Sequence, residues 1–499
     1  MSGSGRAELN VAGGTINNTG RNLTFSGGTT GTFHWSGTGL LNLNAGTLAT
    51  NAVVYDALSP NASSYVNFNG GTLQSTVDSA SFLPAFTPSG TGINRVFVNG
   101  AFGTFLGGAT IDTNGFNSNV SANLLAPTGN GVTSLSLDSQ GSGYVGAPAV
   151  KILDNGLPST ATAYAVVDTD SSSANFGKVT NVFITNPGVI TGTATVSLVG
   201  GGGSGASVSV ATTGANTSGG LTKIGSGTLT LNGANTYSGA TLVSNGSLVV
   251  NGSLASSAVS IASATTLGGA GTLGGTVTVD TGTAQITGGD GTSGTLSTQN
   301  LTFSGTGVIN VGALGNYAIN PAIDTPGVLT LNGGAGAVTL NLNPAPVASG
   351  TYRLVRAASG IADVSGFTLG TTPAPIGRQA AGTLQYDGGT NTVTYTTGGT
   401  YPIWSGAQSN EWSTNVISPL KNWQLADLSG GTDFIAGDDV RFDNSAAIKT
   451  VDISNGDVQP TFANFTNTVG NDYTLQGIRV RLSRNTLTDS ELNQKKDRI

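Results

Sequence analysis

Between Gly219 and Gly239 the chain reads Gly-Gly-Leu-Thr-Lys-Ile-Gly-Ser-Gly-Thr-Leu-Thr-Leu-Asn-Gly-Ala-Asn-Thr-Tyr-Ser-Gly. Apolar and small polar residues alternate, the period of a strand with one buried face. Glycines punctuate the alternation, and variants of its Gly-Thr-Leu phrase recur along most of the chain. Such recurrence predicts a repeat array, in which each unit buries its apolar face only by stacking on the next.

The first segment, 1–129, carries the phrase three times: Leu9-Asn-Val-Ala-Gly-Gly-Thr-Ile16, Leu41-Asn-Leu-Asn-Ala-Gly-Thr-Leu48 and Val66-Asn-Phe-Asn-Gly-Gly-Thr-Leu73. The copies are 32 and 25 residues apart. In each, the first and third positions share a face and Asn lies between them. The Gly pair allows a turn, after which Thr-Leu starts the next strand. One copy per coil of a right-handed parallel β-helix accounts for the spacing. Phe82, Phe86, Phe97, Phe102 and Phe105 are expected in its interior.

Segment 130–212 is a different, duplicated unit. Val132-Thr-Ser-Leu-Ser-Leu137 answers to Val179-Thr-Asn-Val-Phe-Ile184, 47 residues on. Two copies of a few strands predict a small β insert interrupting the solenoid. Segment 213–398 returns to the opening pattern, and Asn300-Leu-Thr-Phe-Ser-Gly305 repeats Asn22-Leu-Thr-Phe-Ser-Gly27. Segment 399–477 is a β-rich aromatic unit holding Trp404, Trp412 and Trp423. The last segment, 478–499, has no Gly and nine charged residues, and reads as a loose tail at a composition break. The fold class expected is all-β.

Composition sharpens this reading. The chain has 499 residues, 78 of them Gly, an apolar fraction of 37%, and 18 basic against 25 acidic residues. Disorder pairs low hydrophobicity with high net charge, and a net charge of −7 with this apolar fraction is neither. No basic patch follows a phosphate backbone, so nucleic acid is not an expected partner. Without cysteine there are no disulfides or thiolate metal sites. No run approaches the ~18 apolar residues of a membrane span. The start, Met1 to Asn10, lacks the apolar core of a signal peptide. With the repeats, this suggests a piece of a longer protein.

Candidate chemistry is sparse. The single histidine, His34, excludes a histidine-based metal site, and no nucleophile elbow accompanies it for a hydrolase triad. Asp168/Asp170 and Asp438/Asp439 are the acidic pairs that carbohydrate chemistry on a β-helix would use; both read more simply as solvated turns. Gly288-Gly-Asp-Gly-Thr-Ser-Gly294 is one partial copy of a calcium-binding repeat that works only when stacked. Gly200–Gly205 lacks the Lys-Ser/Thr and helix of a phosphate loop and reads as a hairpin loop. No catalytic, cofactor or metal residue is therefore expected. Trp404, Trp412 and Trp423 suit either sugar stacking or an apolar cap, and the cap is preferred.

Gly219–Gly246 resembles the autotransporter-associated β-strand repeat of bacterial surface-protein passengers. The resemblance rests on Gly220-Leu-Thr-Lys-Ile-Gly225, Gly227-Thr-Leu-Thr-Leu231, Asn235-Thr-Tyr-Ser-Gly239, Thr241-Leu-Val243 and Asn245-Gly-Ser-Leu-Val249, and extends to about 275. It implies an exported passenger at the cell surface or beyond, with the repeat aiding secretion and folding. Function would then be that of a non-catalytic stalk. The alternatives are an adhesin or glycan-binding module centred on 399–477, and a carbohydrate-active β-helix enzyme. The expected partners are surface glycans or further copies meeting at the solenoid ends.

Overall fold

The computed structural model describes residues 6–25, 38–55, 63–85, 93–289, 293–375 and 377–477. His34, Phe86, Asp290 and the charged tail lie outside them. Among the described residues the regular elements are β-strands and one 3₁₀ turn, Leu314–Tyr317.

The strands stack in parallel along two long faces. On one face lie Arg6–Asn18, Thr38–Thr50, Ser63–Ser75 and Gly108–Asp112, followed by Leu221–Ile224, Thr241–Val243, Val259–Ile261, Thr272–Val279, Leu296–Phe303, Ile323–Leu331 and Gly350–Ser359. The other face is a nine-stranded sheet running from Ser79–Leu83 to Phe367–Leu369. The fold is thus a parallel β-solenoid with an aliphatic interior. Leu229, Leu248, Leu267, Ile286, Ile309 and Leu340 are successive register partners, all fully buried. Each is one rung of a ladder that closes only when its neighbours are present.

The three early phrases are register partners. Leu9 faces Leu41 and Leu41 faces Val66; Thr15 faces Thr47 and Thr47 faces Thr72. Contrary to the expectation, the Gly pair, Ala45-Gly46 in the second copy, does not divide two strands. It bends a continuous strand of 13 residues. Gly46 has φ +70, and a Cβ there would lie 2.4 Å from the Gly14 carbonyl oxygen, so the bend exists because no side chain is present.

The intervening asparagines form a ladder on the opposite side of the same strands. Asn42 Nδ2 donates to Asn10 Oδ1 at 2.8 Å, and Asn67 Nδ2 to Asn42 Oδ1 at 2.7 Å. A second ladder runs from Asn99 through Asn69 to Asn44. Asn42, Asn67 and Asn69 are fully buried because the 130–215 unit covers them. Asn69 Nδ2 donates to the Thr185 carbonyl at 2.6 Å, and Thr185 Oγ1 to Glu8 Oε1 at 2.9 Å.

The two halves of that covering unit pair reciprocally. Asn130–Ser142 is antiparallel to Ser204–Ala215, Ala149–Asp154 to Ala194–Val199, and Thr162–Val167 to Val179–Asn186. First strand thus meets third, second meets second, and third meets first. The unit has its own core around Val132, Tyr144, Ile152 and Ile184. Phe102, expected inside the solenoid, packs in this core with Phe105 against it, and Phe97 is half-buried on a strand whose inward positions are Val96 and Val98. Of the expected interior phenylalanines that are described, only Phe82 is inside the solenoid. Across this excursion the solenoid resumes in register: Leu221 stacks on Ala109 and Leu229 on Ser118.

On the first face the parallel stack ends at Gly350–Ser359. That strand pairs antiparallel with Thr392–Thr397, which pairs antiparallel with Thr383–Asp387. Residues 402–476 form a separate small β unit around a third core.

Candidate functional site

A set of enclosed polar side chains lies in the coil beginning at Leu221. Leu221–Ile224 and Thr228–Leu231 alternate inward and outward, and the corner Gly225–Gly227 joins them. The coil is tight: Leu221 stacks on Thr241 and Thr241 on Val259, so one turn takes 18 to 20 residues. Such short corners need glycine. At Gly246, φ is +69 and a Cβ would lie 2.5 Å from the Gly225 and Gly227 carbonyl oxygens and 2.8 Å from Lys223 Nζ.

Three polar side chains are enclosed in this coil: Lys223, Asn235 and Tyr237. A buried polar group requires partners, and each of these side chains finds at least one in an adjacent coil. Asn235 Oδ1 accepts from the Leu124 amide at 2.9 Å, and its Nδ2 donates to the Gly233 and Ser253 carbonyls at 3.0 Å. Tyr237 Oη is 2.6 Å from Thr241 Oγ1, which lies 2.8 Å from Ser257 Oγ. Burial pushes the Tyr237 hydroxyl pKa up. Lys223 Nζ donates to Thr113 Oγ1 at 3.0 Å and to the carbonyls of Ile224, Gly225 and Asn245 at 3.1, 2.6 and 2.9 Å. Desolvation brings its pKa down to about 8, opposed by the charge of Asp112. Sequence reasoning missed Lys223. Its parity with Leu221 marks it as inward, and that signal is stronger than its charge.

The acidic pairs separate. Asp168 and Asp170 cap an exposed turn, accepting from Ser173 Oγ and Ser172 Oγ at 2.5 and 2.7 Å. Asp438 and Asp439, expected in a solvated turn, are buried, which corrects that reading. They lie where residues 402–476 meet the end of the solenoid. Asp439 Oδ2 accepts from the Ser349 amide at 3.0 Å and Oδ1 from Asn464 Nδ2 at 3.0 Å. Asp438 Oδ2 accepts from the Ile435 amide at 2.9 Å and lies 3.7 Å from Arg378. Arg441 donates to the Ser349 carbonyl and to Tyr401 Oη, with its guanidinium 3.7 Å from the Tyr401 ring centroid. Burial raises both carboxyl pKa values. Asp439 and Arg441 thus clamp the strand lead-in at Ser349 while Asp438 faces Arg378, and together they form a joint between units.

Trp404, Trp412 and Trp423 are 0%, 0% and 2% exposed. Their rings meet edge-on, with centroids 5.0 Å apart for Trp404 and Trp423 and 5.3 Å for Trp412 and Trp423, and Phe442 completes the cluster. Of the two readings, sugar stacking and the preferred apolar cap, this burial fits the second: no indole face is open to a ring, because the aromatic faces supply the apolar area of a unit with short strands. Gly200–Gly203 is likewise not a hairpin loop. It passes between two sheets, and a Cβ at Gly203 would lie 2.5 Å from the Tyr144 ring. A shallow groove of about 200 Å³ lined by Asn310, Asn341 and Thr371 contains no carboxylate. No group of three His, Cys, Asp or Glu suited to a metal occurs among the described residues. No helix among them is long and apolar enough to cross a membrane.

The protein is therefore an all-β parallel solenoid whose enclosed polar groups tie coil to coil. Residues 221–250 match the passenger-associated-transport-repeat family. The tight coil that holds Lys223, Asn235 and Tyr237 is thus a repeat of the kind found in autotransporter passengers. No curated protein matches the chain.

Proposed function

We propose that the chain is an exported, non-catalytic stalk of a bacterial surface protein, in which the 221–250 repeat aids secretion by folding on the far side of the membrane. The observation that carries this reading is the enclosed polar set of that coil. Asn235 bonds forward to Ser253 and back to Leu124. The coil is completed only by its neighbours, so each coil that stacks makes the next favourable. Folding that advances coil by coil outside the cell withdraws the chain from the inside.

The test is export of the full chain between a leader and an outer-membrane barrel. Replacing the buried Leu229 and Leu248 by Asp places unpaired charges in the interior. Surface-exposed chain, measured by protease shaving of intact cells, is expected to fall at least fivefold. Export at the parental level would sink the secretion role.

A further inference from the structure

We infer that Lys223 is a built-in cation that fastens the solenoid across its longest interruption, joining the coil before the 130–215 unit to the two coils after it. Its ammonium lies fully enclosed among four oxygens. Thr113 Oγ1 comes from the coil before the interruption, the Ile224 and Gly225 carbonyls from its own corner, and the Asn245 carbonyl from the corner of the next coil. An aliphatic residue at this position would fit the Leu221 parity and leave those oxygens without the donor. An ammonium has three hydrogens to share among them and no acceptor of its own.

The location gives the arrangement a purpose. Thr113 and Lys223 are 110 residues apart in sequence. Elsewhere in this region, neighbouring coils are joined by a short corner, which keeps them together at little entropic loss. Here the stack must close a long excursion, and the loss grows with loop length. Strand pairing across the junction is short: Leu221–Ile224 on Gly108–Asp112, and Leu229 to Leu231 on Ser118 to Val120. The Thr113 amide also donates to the Ile224 carbonyl at 3.1 Å, so the corner at Thr113 rests directly on the lysine's own corner. The negative charge of Asp112 nearby favours the ammonium form. The inference concerns the folded chain alone and stands whether or not the repeat aids export.

Hydrogen exchange of the purified full chain at pH 7 tests it. Lys223→Met keeps side-chain length and removes the donor. Peptides covering 109–116 and 241–250 are expected to exchange at least tenfold faster, with 296–311 unchanged. Thr113→Val, which deletes one of the four oxygens, is expected to raise exchange two- to fivefold at 109–116 and gives a readout even if Lys223→Met does not fold. Thr222→Met, on the outward side of the same strand, is the control. Faster exchange confined to 221–250 in Lys223→Met would overturn the bridging role, as would unchanged exchange or an equal effect in Thr222→Met.

Discussion

At Lys223 the interior carries a charge among aliphatic neighbours, and its titration has a definite sign. Desolvation lowers the folded-state pKa to about 8, while the ordinary value is 10.5. Between those values the unfolded chain holds a proton that the folded chain has released. The stability due to this group therefore rises from pH 8 to 10.5 and is lowest below pH 8, with a slope of at most about 1.4 kcal/mol per pH unit. Urea unfolding of Lys223→Met is expected to lack that rise; the same rise in both proteins would contradict the assignment. Asp438 has the opposite sign. Burial raises its pKa, against the Ile435 amide and Arg378, and its Oδ1 has no hydrogen-bond partner among the described residues. Its ionised form is thus penalised at neutral pH, and the penalty fades on acidification. In urea unfolding, the stability of Asp438→Asn relative to the parent is expected to improve as pH rises from 4 to 7; a pH-independent difference would contradict the assignment. Neither residue's role was legible in the sequence. A residue type says how it prefers to be solvated, whereas Thr113 Oγ1 and the Asn245 carbonyl beside Lys223, and the Ser349 lead-in beside Asp439, come from other parts of the chain.

At the scale of the strand, much was legible. The three early phrases align in space as they align in sequence, because parallel stacking converts a repeat spacing into a register. The side of the strand carrying Asn42, Asn67 and Asn69 was not, since alternation marks one face as apolar and cannot say that a separate unit covers the other. The amide ladder is sensitive for that reason. Asn69→Ala removes donors to Asn44 Oδ1 and the Thr185 carbonyl and leaves Asn99 without its acceptor. A loss of about 1–3 kcal/mol is expected, with faster amide exchange across 179–186, where the covering unit rests on the ladder. Loss of stability without that faster exchange would show that the ladder serves the solenoid alone. The tryptophans teach the converse. Their residue type suits sugar platforms as well as the preferred apolar cap, and burial distinguishes the two because Trp404, Trp412 and Trp423 form mutual edge contacts.

For the whole molecule, nearest-neighbour stacking makes position along the rod the main determinant of local stability. Arg6–Asn18 has a parallel neighbour on one side only among the described residues, whereas coils from Leu221 to Val311 have neighbours on both. At the opposite end the antiparallel strands Thr392–Thr397 and Thr383–Asp387 stop the parallel register, so further coils cannot simply continue there. The asymmetry favours growth of order from the closed end and the tight coils toward the first strand. Native-state exchange is expected to be slowest for 228–309, intermediate for 63–112 and fastest for 6–18. Leu248→Ala, in the slow region, is expected to lose about 2–5 kcal/mol and to speed exchange in its stacked neighbours at 228–231 and 266–268 more than at 338–342. A uniform increase along the rod would instead mean that the solenoid opens as one cooperative body. Stepwise folding outside the cell would then have no structural basis, since a body that closes all at once offers no succession of coils by which to draw the chain outward.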